Sequence, residues 1–304
     1  MKSKTAVVTG AFSYTGAAVA AELQKRDWTV RTLTRRASPS GTNIQSLPLR
    51  FDKEQLIAAL TGAEVFVNSF WIRLPMFGES FESAVEKSKL LLSCAKEAGV
   101  KRIVHVSVSN APDGRNLGYY RGKHDVELFL KKLGVAYAIV RPTLIVGQND
   151  VLTNNISWLL RMSPVFLMPR GGAYRLQPVT LSDVGKIVVE AAEASQDLEV
   201  DAAGPEIYTF KEYVELLQRA CGLHRLMISM PNAATLSTIR IAELFLRDRI
   251  LVPEELMGLQ QELLLSHTAP HGQESVSHWL MMNGSALGKV YVNDTRRHFT
   301  DAAA

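Results

Sequence analysis

The residues best suited to chemistry lie between positions 107 and 127. Tyr119, Lys123 and Glu127 recur at every fourth position, so on a helix they share one face. A free phenol titrates near 10 and is a poor base at neutral pH. An ammonium one turn away stabilises the phenolate and brings proton transfer to or from a hydroxyl or carbonyl within reach. Ser107 and Ser109 lie in the run Val106-Ser107-Val108-Ser109, and Ser107 stands twelve residues ahead of Tyr119. Either hydroxyl could hold a substrate oxygen. Tyr120, paired at i+4 with His124, is the competing phenol.

A second signal opens the chain. Val7-Val8-Thr9-Gly10-Ala11-Phe12-Ser13-Tyr14-Thr15-Gly16-Ala17-Ala18 runs from an apolar strand through a glycine-bearing turn into an Ala-rich helix. A helix N-terminus offers backbone N–H groups and about half a unit of positive charge, which suits a pyrophosphate. Gly10 permits the tight turn, Gly16 and Ala17 let the helix pack closely on the strand, and the Ser13 hydroxyl could donate to a phosphate oxygen. Phe12, Tyr14 and Thr15 complete the turn. An NAD site carries an acid after the second strand for the ribose hydroxyls. Residues 28–51 contain no Asp or Glu but do contain Arg31, Arg35, Arg36 and Arg50. Guanidinium groups suit a 2′-phosphate, so NADP(H) is expected over NAD(H). Asp52 either approaches the adenine or caps a helix over 53–60. Given such a cofactor, the face bearing Lys123 has a second reading without catalysis, in which Lys123 orients the nicotinamide ribose and Tyr119 only packs.

The elements that must hold these groups alternate in type. β-branched runs at 4–9, 29–34, 64–68, 102–108 and 138–146 predict buried strands, and residues 16–25, 53–60, 81–98 and 120–133 predict helices between them. This alternation implies βαβ units and a parallel sheet covered on both faces. Beyond 147 the pattern predicts helices over 149–162 and 183–194, the latter capped by Ser182 or Asp183. A hairpin-like segment is expected at 168–179, and a helix from the capping box Thr209-Phe210-Lys211-Glu212 to about 221. From 231 onward the pattern is mostly amphipathic helix. The expected architecture is α/β, a Rossmann-type doubly wound parallel sheet over 1–147, resuming near 176–204, with a smaller, mainly helical substrate or partner region over 148–304.

With these segments in view, the chain resembles the extended short-chain dehydrogenase/reductases in their NmrA-like or epimerase-like branch. Within it, the chain is similar to bacterial relatives of the NADPH-binding accessory subunit of respiratory complex I. The resemblance is carried by Thr9-Gly10 to Gly16, Asn68-Ser69-Phe70-Trp71-Ile72-Arg73, His105 to Asn110, and Tyr120-Arg121-Gly122-Lys123 with Glu127. It continues through Arg141-Pro142-Thr143, residues 150–164, Gln177-Pro178-Val179 with Asp183, Gly204-Pro205-Glu206 and Trp279-Leu280. It implies a Rossmann fold binding NADP(H), Asn68, Ser69 and Phe70 running beside the cofactor, and Arg141-Pro142-Thr143 closing over the nicotinamide side. Active extended members separate their Ser/Thr from their Tyr by more than Ser107 is separated from Tyr119, and the branch includes members that bind NADPH without known turnover. The expected function is therefore an oxidoreductase or epimerase-like enzyme on a small carbonyl, alcohol or sugar-like substrate. Its alternative is a non-catalytic NADP(H)-binding protein serving as a redox sensor or an assembly factor.

Other residues carry weaker signals. Trp71 and Arg73 reach the substrate side or pack on the core. Asn154, Asn155, Trp158 and Arg161 sit at helical spacing, and an exposed helix face is their simplest reading. His267, His271 and His278 lack a flanking acid at metal-ligand spacing, Cys221 with His224 reads as a helix end, and no Gly-x-Ser-x-Gly nucleophile motif occurs. No metal site is expected. The 304 residues are 47% hydrophobic, and 34 Lys+Arg against 30 Asp+Glu leave a net charge of +4. That balance, with scattered basic doublets, argues against a nucleic-acid partner. No apolar run approaches the roughly 18 residues of a spanning helix, and Cys94 and Cys221 are the only cysteines, so a cytoplasmic location is expected. In a fluorescence titration NADPH should bind more tightly than NADH, and Arg35→Ala combined with Arg36→Ala should reduce that preference. Equal affinities in the unaltered chain would overturn the assignment.

Overall fold

The computed structural model describes residues 4–296. In chain order the strands are β1 (Thr5–Thr9), β2 (Thr29–Thr34), β3 (Gln45–Pro48), β4 (Val65–Asn68), β5 (Arg102–Val106), β6 (Ala136–Pro142) and β7 (Leu144–Val146). Then come β8 (Val165–Pro169), β9 (Arg175–Leu176), β10 (Pro178–Thr180), β11 (Leu198–Ala202), β12 (Tyr208–Thr209) and β13 (Leu226–Met230). The helices are α1 (Tyr14–Lys25), α2 (Lys53–Leu60), α3 (Phe81–Glu97), α4 (Gly118–Lys131), α5 (Val151–Met162), α6 (Leu181–Glu193), α7 (Phe210–Ala220), α8 (Asn232–Leu246), α9 (Pro253–Gln260) and α10 (Val276–Asn283).

Two compact units divide the chain, one from residues 4–142 and 181–202, the other from 143–180 and 203–296. The first is a seven-stranded sheet in the order β11-β6-β5-β4-β1-β2-β3, parallel at every pairing. The order reverses between β1 and β4, and in such sheets ligands bind in the crevice outside the carboxyl ends at that switch point. Strands buried on both faces read as near-continuous apolar runs, as in Val65-Phe66-Val67 of β4 and Ile103-Val104 of β5. On one face Val7, Phe66, Ile103 and Ile139 pack against Leu56 of α2, Leu91 and Leu92 of α3, and Val126 and Leu130 of α4. The other face receives α1 and α6, which lie against each other. Arg102 fastens the segment entering β11, its Nε donating to Ala191 O at 2.8 Å and its Nη2 to Gln196 O at 2.6 Å.

Strand side chains alternate with period two, so the residues two beyond Phe66, Ile103 and Ile139 return to the same face. They are Asn68, His105 and Arg141. The face that is apolar in mid-sheet thus turns polar at its carboxyl edge, under α4. There Arg141 Nε and Nη2 grip both oxygens of Glu127 at 2.9 and 2.8 Å, and Nη2 also meets Glu199 Oε2 of β11 at 2.7 Å. Arg141 is therefore committed to carboxylates of its own unit, not to closing over a nicotinamide as the resemblance implied.

The second unit departs further from expectation. Residues 168–179 form no hairpin: β8 pairs in parallel with β13, β10 in parallel with β7, and β9 antiparallel with β12. Strand β3 was not anticipated because it is largely exposed and carries no apolar run, whereas β13 was not anticipated although Leu226-Met227-Ile228-Ser229-Met230 is largely apolar, on mostly exposed positions. The seven-stranded sheet resumes only at β11, and α6 starts at Leu181, directly after β10, without waiting for Ser182 or Asp183. Asn154 and Asn155 are buried, not on an exposed face. Each amide holds a backbone strand-like: Asn154 bonds Val290 O at 2.9 Å and Gly288 N at 3.0 Å, and Asn155 bonds Val292 O at 3.0 Å and Val292 N at 2.9 Å. Arg161 Nε adds Leu287 O at 2.7 Å, and Trp158 meets Tyr291 edge-on. This face of α5 is a clamp for residues 287–292. His278 lies on α10 and Cys221 caps α7. Among the described residues no cluster of His, Cys, Asp and Glu could hold a metal, and no helix is long and apolar enough to cross a membrane.

Glu127 is fully buried and Arg141 partly so, and removing the arginine strands a buried carboxylate at about 3–5 kcal/mol. Arg141→Met should lose stability of that order in urea unfolding, and adding Glu127→Gln should recover most of it. An Arg141→Met chain as stable as the unaltered one would contradict this account.

Candidate functional site

At the carboxyl end of β1 the chain turns through Gly10, whose φ of +65° suits glycine. A Cβ on Gly16 would stand 2.2 Å from Gly10 O, so α1 reaches this strand end only because residue 16 has no side chain. Ser13 occupies the N-cap position of α1 without capping it, and the first turn holds no acid. Its hydroxyl instead donates to Gly10 O at 2.6 Å, which corrects the expectation that it serves a phosphate oxygen: it fixes the turn. Thr32 of β2 adds a second brace, donating to Val8 O and accepting from Ala11 N, both at 2.9 Å. Phe12, Tyr14 and Thr15 are half-buried around the turn. Here the residues fit a dinucleotide pyrophosphate: a braced glycine turn opens a helix that carries no capping carboxylate to compete with an anion.

Arg36 belongs to this turn, because its Nη1 donates to Phe12 O at 2.9 Å and its N to Thr34 Oγ1 at 3.1 Å. Arg35 is exposed beside it. Asp52 caps α2, accepting from Gln55 N at 2.9 Å, so the cap is the role seen. Beyond β4 the chain is tied back to β1 through Ser69, whose N donates to Thr9 Oγ1 at 2.7 Å and whose Oγ donates to Thr9 O at 2.6 Å. Phe70 leans on Phe51 at 5.2 Å between ring centroids. Asn68 is fully buried; its Oδ1 accepts from Phe70 N at 3.2 Å and its Nδ2 meets His105 Nδ1 at 3.2 Å. The register pairing Asn68 with His105 makes that contact. Burial, then the Lys123 charge, pushes the His105 imidazole well below its ordinary pKa, so it is neutral, with Nε2 buried and unbonded.

Lys123 lies across the same edge. It is 3% exposed, its Nζ donates to Val106 O at 2.8 Å, and it stands 4.7 Å from the centre of the Trp71 ring. Burial lowers its pKa to about 7 against a partial pull upward from Glu127, whose two oxygens Arg141 already holds. Ser107 Oγ is buried without a hydrogen-bond partner in the protein, so its hydroxyl is available to a further group at this edge. Its N is held by Val140 O at 2.7 Å, and Ser109 N by Pro142 O at 2.9 Å. Pro142 ends β6 and Thr143 follows it, both buried. Tyr119 is half-exposed and meets Trp71, Phe81 and Tyr120 edge-on at 6.1, 6.0 and 5.6 Å, while Tyr120 is buried.

The carboxyl ends of β1, β4 and β5 thus bring together Gly10, Phe12, Ser13, Gly16, Arg36, Asn68, Ser69, Ser107 and Lys123. Trp71, weighed only as one of two options, touches both Tyr119 and Lys123. His105 was missed as a support for Asn68; a lone polar residue in the run Arg102-Ile103-Val104-His105-Val106 was its only signal.

Residues 2–264 match the model of the NmrA-like family. The chain belongs to this family. Among curated relatives, the family member is 25% identical over 181 residues to the mitochondrial NADH dehydrogenase (ubiquinone) 1 alpha subcomplex subunit 9 of Arabidopsis thaliana, covering 57% of this chain and 45% of that protein. The Mus musculus counterpart is 30% identical over 146 residues, covering 47% and 38%. The chain thus matches less than half the length of these relatives. Triphenylmethane reductase from Citrobacter sp. superposes with a TM-score of 0.74 at 15% identity over 92% of this chain and 99% of that one. The NADPH-dependent quinone oxidoreductase of Escherichia coli, complexed with NADPH, gives 0.72 at 18% identity over 91% and 99%. At such identities the likeness establishes the Rossmann-type α/β fold.

The depressed pKa of Lys123 has a consequence for stability. Between about pH 7 and the ordinary lysine value of 10.5 the folded chain holds fewer protons than the unfolded chain, so stability rises with pH across that window. Lys123→Met should flatten the rise in denaturant midpoint between pH 7 and 9. A variant with the slope of the unaltered chain would show that Lys123 is ionised as in water.

Proposed function

We propose that the chain binds NADP(H) and acts as an oxidoreductase on a small carbonyl or alcohol. What carries this reading is the pair of buried groups at the end of β5, the unbonded Ser107 hydroxyl and the Lys123 ammonium. Two polar groups held in a dry edge without a carboxylate of their own cost stability, and a ligand with hydroxyl and carbonyl oxygens would satisfy both.

Gly10, Ser13 and Gly16 form the pyrophosphate turn, and Arg35 and Arg36 supply charge for a 2′-phosphate. Asn68, Ser69 and Phe70 line the path of the dinucleotide, with Asp52, Pro142 and Thr143 assigned its margins. When bound, the nicotinamide gives or takes a hydride. Lys123 holds ribose hydroxyls and, one turn from Tyr119, favours its phenolate; Tyr119 moves the proton at the substrate oxygen, and Ser107 orients that oxygen. Both cysteines are free, in keeping with a reducing compartment such as the cytoplasm.

A second reading, an NADP(H)-binding protein without turnover, has its own support. Tyr119 sits among three aromatic rings, and Trp71 packs on both Tyr119 and Lys123; the curated relatives are named as subunits of a larger enzyme. NADPH oxidation against a panel of carbonyl compounds separates the two. Under the enzyme reading Tyr119→Phe lowers turnover by about 10² to 10⁴ with NADPH affinity almost unchanged, and Lys123→Ala weakens NADPH as well. Under the binding reading only Lys123→Ala has an effect. An activity that survives Tyr119→Phe and fails with Tyr120→Phe would move the acid/base role to Tyr120.

A further inference from the structure

One cluster of charges in the first unit serves neither the phosphate turn nor the edge at Lys123. Glu79, in the connection between β4 and α3, accepts from Ser83 Oγ at 2.7 Å through one oxygen and from Lys87 Nζ through the other. Burial opposes its charge, but the hydrogen bonds from Lys87 and Ser83 and the positive charges of Lys87 and Arg35 hold the carboxyl below its ordinary range. Lys87 and the Ser83 hydroxyl thus converge on one carboxylate, with the charge of Arg35 near enough to act on it. Lys87 is also placed over an aromatic wall, its Nζ 5.1 Å from the centre of the Phe51 ring, and Phe51 leans on Phe70.

These groups come from successive carboxyl-end connections: Arg35 follows β2, Phe51 follows β3, and Phe70 and Glu79 follow β4. The end of β2 is where a dinucleotide-binding sheet places the adenosine ribose. As a stabilising device the cluster is weak, since Lys87 and Glu79 keep 28% and 24% of their side-chain surface, and ion pairs in contact with water contribute little. Its arrangement instead matches what a phosphate dianion demands, namely cations with a hydroxyl donor around one set of anionic oxygens.

We propose that Lys87 is a cation for the 2′-phosphate of NADP(H), and that Glu79 is a resident carboxylate holding Lys87 in place until that phosphate displaces it. The proposal rests on the NADP(H) reading above and adds a residue of α3 to the charge already assigned to Arg35 and Arg36. It makes Glu79 a selective competitor. A dianion can displace it, whereas the 2′-hydroxyl of NAD(H) gains nothing from the cations.

The test uses the full chain and four probes in calorimetric titrations: NADPH, NADH, adenosine 2′,5′-bisphosphate and adenosine 5′-monophosphate. Lys87→Met should weaken NADPH and the bisphosphate about tenfold while leaving NADH and the monophosphate within about twofold, one charge-assisted contact being lost. Glu79→Gln should tighten NADPH and the bisphosphate several-fold and leave the other two unchanged. Both side chains are partly in water, and thermal unfolding of each variant checks that the fold persists. Unchanged ratios of NADPH to NADH affinity in Lys87→Met, with NADPH still bound, would overturn this proposal and leave the cofactor reading standing. Weaker NADH binding in Glu79→Gln would overturn it differently, by showing that the carboxylate serves ribose hydroxyls. If the unaltered chain bound neither nucleotide, the cofactor reading itself would fall and this proposal with it.

Discussion

The ammonium of Lys123 is the charge around which the carboxyl edge of the sheet is arranged. It is buried, it donates to Val106 O, and it lies against the face of Trp71. A buried ammonium ordinarily requires a carboxylate within reach. Glu127, one turn on along α4, would be that partner, but Arg141 takes both its oxygens. The result is a cation with a carbonyl and an indole ring for company and a pKa drawn down to about 7.

The neighbours follow from that charge. His105 is neutral because it is buried and because Lys123 is close, and the neutral ring is what allows Nδ1 to meet the Asn68 amide. Asn68 in turn holds Phe70 N, so the connection that carries Trp71 back over Lys123 is shaped by the same group. Glu127 and Arg141 form the outer layer and tie α4 to β6, with Glu199 extending the tie to β11. The catalytic and binding readings of the site share this framework and differ only in whether the Tyr119 phenol takes part.

The phosphate end obeys a different constraint, backbone approach. α1 can open against β1 because residue 16 lacks a Cβ, and the turn keeps its shape because Ser13 and Thr32 spend hydrogen bonds on Gly10 O, Val8 O and Ala11 N. Rigid backbone donors stand at one end of the edge and an under-paired buried cation at the other, and the parallel order β4-β1-β2 places the turn at the switch point.

The sequence by itself determined whatever depends on local pattern. β-branched runs separated by helical periods specified β1, β2, β4, β5 and β6 with α1 to α4, and Gly10 with Gly16 marked the turn, because period and steric need are written in consecutive residues. The one-faced spacing of Tyr119, Lys123 and Glu127 was equally legible. Tertiary structure decided who pairs with whom. Arg141 could close over a ligand or hold Glu127, and Ser13 could serve a phosphate or Gly10; only the register of β5 against β6 and the geometry of the turn chose. Asn154 and Asn155 looked like solvent residues because their partners, Val290 and Val292, lie more than 130 positions away. Strand β3 escaped notice because its exposed positions leave no apolar run to read, and the short apolar run of β13 does not say by itself that it pairs with β8, about sixty residues before it. A backbone amide or carbonyl as partner leaves no trace in residue type, so the contacts that fix the site's edges were decided by the fold.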